Sequence, residues 1–65
     1  MSALRALREE RKLTQAELAR LAGVSPRTIS YHENTAMRPY TNVRRALAST
    51  LGVPAESIWP PRPES

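Results

Sequence analysis

Two helix-start signatures stand eleven residues apart in this chain, with a glycine between them. Thr14-Gln15-Ala16-Glu17 is a capping box. In such a box the threonine hydroxyl accepts the backbone N–H three residues on, and the glutamate carboxylate accepts the backbone N–H of the threonine. Gly23 supplies the φ > 0 residue that closes the resulting helix without strain. Ser25-Pro26 then opens a new helix at once, with serine as the cap and proline at the first helical position. A helix, a turn of three or four residues and a second helix are therefore prescribed by local chemistry alone.

The remainder parses in the same way. Ser2 caps a first helix through about Arg11, with Leu4 and Leu7 inward at i, i+3 spacing. The helix opened by Thr14 carries Leu18, Leu21 and Ala22 inward. The next, from Pro26 to about Glu33, can bury only Ile29 and one side of Tyr31 or His32, so its neighbours must hold it. Asn34 to Pro39 reads as a loop, and Thr41 or Asn42 as the cap of a fourth helix. Val43, Ala46, Leu47, Thr50 and Leu51 give that helix a face of 3.6-residue period, ended by Gly52. Pro54 to Trp59 forms a final turn or short helix whose Ile58 and Trp59 close the core. Residues 1–59 thus read as one domain, and residues 60–65 as a Pro-rich flexible tail. A Pro-rich ligand for an SH3-like partner is the lesser reading of that tail.

Length and composition remove most other function classes. A chain of 65 residues buries only about 60% of its unfolded surface and makes one domain. There is no cysteine for disulfides, thiolate chemistry or zinc, and His32 is the only histidine. No nucleophile–base pair, carboxylate dyad or metal set has a second member at workable spacing, so the expectation is no enzyme and no cofactor. No apolar run reaches the roughly 18 residues of a membrane span, and no signal-peptide core follows Met1; a cytoplasmic protein is expected. Leu, Ile and Val number 12 of 65, low enough to raise the question of disorder. The periodic apolar pattern and the helix-forming Ala and Arg answer it in favour of an all-α fold. Ten basic residues, nine of them arginine, oppose six acidic ones, and Arg20, Arg27, Arg38, Arg44 and Arg45 place the whole excess in the middle of the chain. Such a stretch suits nucleic acid, an acidic partner or anionic lipid.

Two helices joined by a short glycine turn describe a helix-turn-helix, whose second helix enters the major groove. The stretch Leu13 to Asn34 closely resembles the phage Cro/C1-repressor class, called XRE-like, and the likeness continues through Arg38-Pro39 and Leu47 to Val53. Gln15, Ala19, Gly23, Val24 and Ile29 all sit where that family places them. The resemblance implies a five-helix, lambda-repressor-like all-α domain that binds double-stranded DNA. It implies a phosphate contact for Gln15 and a base-facing surface of Pro26, Arg27, Thr28 and Tyr31. Arg38 resembles a backbone-contacting residue, and Arg8 and Glu33 match a buried ion pair between the first and third helices. Lys12 and Thr35 stand where the family usually has left-handed glycine, which costs roughly 1 kcal/mol unless Asn34 takes the second strained position. His32 replaces an apolar residue, and Arg44 a common inward aliphatic.

Each of these residues also has a plainer reading. Arg27 on an arbitrary helix is a solvated surface arginine; within a helix-turn-helix it is suited to guanine O6 and N7. Thr28 touches a thymine methyl or a phosphate, or is a neutral surface residue. Tyr31 is divided between packing onto the turn and contacting DNA, and Pro26 offers only van der Waals contact beside its capping role. Arg44 and Arg45 start the fourth helix, where cations oppose the helix dipole, which argues for a phosphate role. His32 reads as structural and Trp59 as core or dimer seam. The DNA-facing set is thus Gln15, Ser25, Pro26, Arg27, Thr28, Tyr31, Arg38 and Arg44. The expected function is a sequence-specific transcriptional regulator, a repressor or control protein, dimerising weakly through the fourth and fifth helices. An antitoxin that also docks a protein partner, and an interaction adaptor that meets an acidic partner without DNA, are the alternatives. No small-molecule ligand is expected in so small a core.

Overall fold

In the computed structural model, which describes residues 2–61, the chain forms α1 (Ala3–Glu10), α2 (Gln15–Ala22), α3 (Pro26–Asn34), α4 (Thr41–Leu51) and α5 (Ala55–Ile58). There is no strand among the described residues. Local chemistry accounts for most boundaries. The Ser2 hydroxyl accepts the Arg5 N–H at 3.0 Å. Thr14 Oγ1 accepts from the Glu17 N–H at 3.0 Å, and Glu17 Oε1 accepts from the Thr14 N–H at 2.8 Å, completing the capping box. Gly23 and Gly52 close α2 and α4 at φ 75° and 74°. At each of these ends the next N–H, of Val24 and Val53, turns back onto the carbonyl of Ala19 and Ala48.

The core takes at least one buried side chain from every helix: Leu4, Leu18, Ala19, Ile29, Leu47, Ala48, Leu51 and Ile58. Helices this short are marginal alone, so their stability comes from this shared burial rather than from propensity. α2 packs on α3 and α4, α1 on α3 and α5, and α4 on α5. α3 contributes only Ile29 among apolar residues, as its sparse pattern requires, and is seated by both α1 and α2. Trp59 lies half-buried against the core beside Ile58.

Three expectations need correction. Leu21 is not inward; it is 59% exposed. The buried arc of α2 is set by Leu18, Ala19 and the partly buried Ala22, and at about 100° per residue Leu21 falls on the flank of that arc. Neither Thr41 nor Asn42 caps α4, which begins at Thr41 behind Tyr40 with no side-chain cap bond. Arg44 instead ties the entry to this helix, donating from Nη1 to the Pro39 carbonyl at 2.6 Å and from Nη2 to Thr41 Oγ1 at 3.1 Å, while the N–H groups of the first turn stay without a side-chain cap. Thr35 is extended (φ −134°) and Asn34 is helical, so neither adopts a left-handed conformation. Of the expected tail, Pro60 and Pro61 are non-helical and residues 62–65 lie outside the described residues.

Lys12 is the one non-glycine residue at positive φ, 59°, among those described. A side chain in that region is strained, and glycine is not. Lys12→Gly is therefore expected to gain about 0.5–1 kcal/mol after the larger unfolded-state entropy of glycine is counted. For a domain this small that is a rise of several degrees in Tm. An unchanged or lower Tm by circular dichroism would show that Lys12 makes contacts worth more than the strain.

Candidate nucleic-acid interface

The surface of α3 is built from its N-terminus. Ser25 Oγ accepts the Thr28 N–H at 3.2 Å and lies 3.0 Å from Thr28 Oγ1, so the two hydroxyls engage each other at the start of the helix. Pro26 follows at the first helical position. Ile29 and Glu33, one turn apart, form the buried side. The opposite side carries Arg27, Tyr31 and Asn34, all exposed, at i, i+4 and i+7. None of the ion pairs among the described residues involves Arg27. Tyr31 is 48% exposed and meets the His32 ring edge-on at 5.0 Å between centroids. Its packing and its exposure are thus both real. His32 in turn places Nδ1 3.1 Å from the Met37 carbonyl, so that nitrogen carries the proton and ties the following loop to α3.

The buried side of α3 is anchored by charge. Arg8 donates from Nη2 to Glu33 Oε1 at 3.0 Å and from Nε to Oε2, while its Nη1 donates to the Leu13 carbonyl at 2.8 Å. Gln15, the first residue of α2, donates from Nε2 to the same Glu33 Oε1 at 3.1 Å. One carboxylate therefore joins α1, α2 and α3. Burial pushes the Glu33 carboxyl up, but the hydrogen bonds from Arg8 and Gln15 and the charges of Arg8 and Arg5 outweigh it, leaving its pKa below the ordinary value.

The remaining basic residues divide by environment. Arg20, Arg27 and Arg45 are exposed, whereas Arg38 and Arg44 are half-buried. Arg38 donates from Nη1 to the Pro60 carbonyl at 2.6 Å, and Arg44 holds Pro39 and Thr41 as described. Arg38, Arg44 and Arg45 come together in one shallow recess, lined also by Thr41, Glu56 and Trp59. Reasoning from sequence missed one member of the outward side of α3. The sequence pattern places Asn34 in a loop, yet α3 runs through it and sets it in line with Arg27 and Tyr31; the i+7 spacing is the available signal.

An exposed polar helix, seated on a second helix across a glycine turn, is the defining arrangement of a known class. The chain belongs to the helix-turn-helix domain family. The family profile matches residues 2–58, which takes in all five helices. A comparison with curated proteins returned no match. In this helix-turn-helix, α2 and α3 are the two helices and Gly23 to Ser25 the turn between them. The family points to DNA as the partner. No helix among the described residues is long and apolar enough to cross a membrane.

Proposed function

We propose that this helix-turn-helix is a sequence-specific regulator of the Cro/C1 type, a repressor or control protein, whose α3 lies in the major groove of double-stranded DNA. One observation carries the reading. The outward side of α3 presents Arg27 free of any ion pair to another described residue, flanked by exposed Tyr31 and Asn34. Tyr31 and Asn34 also have partners in the domain, His32 and Ser30, whereas no ion pair among the described residues holds Arg27. Arg27 reads a base edge, suited to guanine; Thr28 and Tyr31 add apolar and hydroxyl contact; Ser25 and Pro26 bring the helix start close to the duplex. Gln15, Arg38 and Arg44 take phosphates, which supply affinity and register without sequence information. A single unit reads only a few base pairs, so two copies meet through α4 and α5 and bind half-sites about one turn, roughly 34–36 Å, apart.

Two measurements test this. Binding to random duplex should weaken steeply between about 50 and 200 mM salt, with log K falling by about 0.9 per log salt for each phosphate-paired cation. Duplexes selected from a random library should be pseudo-palindromic and sediment with two protein chains each. One chain per selected duplex removes the dimer. Negligible binding to any duplex at low salt removes the DNA reading and favours an adaptor that meets an acidic protein.

A further inference from the structure

The carboxylate of Glu33 does more than neutralise Arg8. We infer that Glu33 is a positioning residue for Gln15: it holds one amide N–H of Gln15 so that the second is presented to a phosphate of duplex DNA. The inference rests on the DNA-binding reading above. A glutamine amide has a donor end and an acceptor end that packing barely distinguishes, and only the donor end serves an anionic phosphate. An ionised carboxylate accepts and cannot donate, so a glutamine facing one must turn its nitrogen toward it. Gln15 Nε2 lies 3.1 Å from Glu33 Oε1, which selects that orientation. The two N–H bonds of a planar amide diverge, so with one on Glu33 the other points away from the carboxylate.

The outer end of the amide is open. Gln15 Oε1 makes no bond within the described chain, yet no buried side-chain oxygen or nitrogen among the described residues lacks a partner. That oxygen is therefore at solvent; it only accepts and offers a phosphate nothing, so the contact falls to the second N–H alone, at the first position of α2, where the helix dipole favours an anion. An uncompensated carboxylate so near a phosphate would repel it. Arg8 prevents this by covering both oxygens, Nη2 on Oε1 and Nε on Oε2, so the platform under Gln15 carries no net charge. The same arginine holds the Leu13 carbonyl, two residues ahead of Gln15, and so fixes the chain as it enters α2. Ion pair, helix start and amide are joined in one hydrogen-bonded network.

A charge-neutral exchange separates positioning from charge. Arg8→Met combined with Glu33→Leu leaves the net charge unchanged, and well-packed apolar replacements of buried pairs commonly keep the fold. The exchange and Gln15→Ala are each expected to weaken binding to a scrambled duplex roughly tenfold, the loss of one hydrogen bond to a charged group. The salt slope should not move, because no cation is lost from a phosphate. Adding the exchange to Gln15→Ala should cost nothing more, since both act through one group. If the wild type binds duplex but the exchange binds equally well, or Gln15→Ala has no effect, the positioning role is wrong and the DNA reading stands. If the wild type binds no duplex, both fall. Should the exchanged protein not fold, side-chain relaxation of the wild type decides. A held amide has an order parameter near the rigid limit of about 0.85, whereas a value below about 0.6 marks a free surface glutamine and overturns the inference.

Discussion

Arg8→Ala is expected to lower the unfolding free energy by about 3–5 kcal/mol, the cost of leaving one partner of a buried pair alone. The Arg8 and Glu33 side chains are only 10% and 2% exposed. Removing the guanidinium orphans the Glu33 carboxylate and frees the Leu13 carbonyl in the same step. A domain of this length has on the order of 3–10 kcal/mol in total, so this is a large share of it, and Tm by circular dichroism should fall by roughly 12–40 °C. A stability left intact, together with a shallower salt slope of duplex binding, would mean that Arg8 meets phosphate instead. The pair also sets an acid limit. Because the folded pKa of Glu33 is depressed, its contribution is present above the unfolded carboxyl value and lost as pH falls toward the folded one. Stability should be level above about pH 5 and fall below about pH 4.3. Glu33→Gln should remove that portion of the acid slope. A smaller portion, from Glu17 held low by the Thr14 backbone N–H and hydroxyl, should persist.

Arg27→Ala and Arg38→Ala should fail in different ways. Arg27 lies in the first turn of α3 on its outward side and in no ion pair with a described residue. Its loss should cost about 1–3 kcal/mol on the preferred duplex and relax the choice at one base pair, leaving a scrambled duplex little changed. Arg38 lies in the loop beyond α3, with Nη1 held on the Pro60 carbonyl. Its loss should weaken all sequences about equally and reduce the salt slope by about one. Releasing Pro60 should add a small fall in Tm that Arg27→Ala does not show. Isotherms for both variants on the two duplexes at two salt concentrations are decisive. If Arg27→Ala weakens both duplexes by the same factor, it is a phosphate contact and not a base reader.

What the sequence alone determined is what neighbours in the chain can settle between themselves. The caps at Ser2, Thr14 and Ser25 and the glycine stops at Gly23 and Gly52 are closed by groups no more than five residues apart, so composition and spacing suffice. The alternation of these starts and stops, with one or two apolar residues per turn, already implied an all-α chain and an α2–turn–α3 unit. The tie between Arg8 and Glu33 was legible only through family resemblance, because no local rule links positions 25 residues apart. Tertiary structure decided the rest. Leu21 is outward because α3 and α4 cover only one arc of α2, and apolar character cannot say which arc a neighbour will cover. Arg38 reaches Pro60 across 22 residues. Gln15 finds Glu33 across 18. Each of these bonds exists only after the core of Leu18, Ile29 and Leu47 has brought the helices together. A local bond needs only the geometry of one helical turn, whereas a distant one is made available by hydrophobic burial that is itself non-directional.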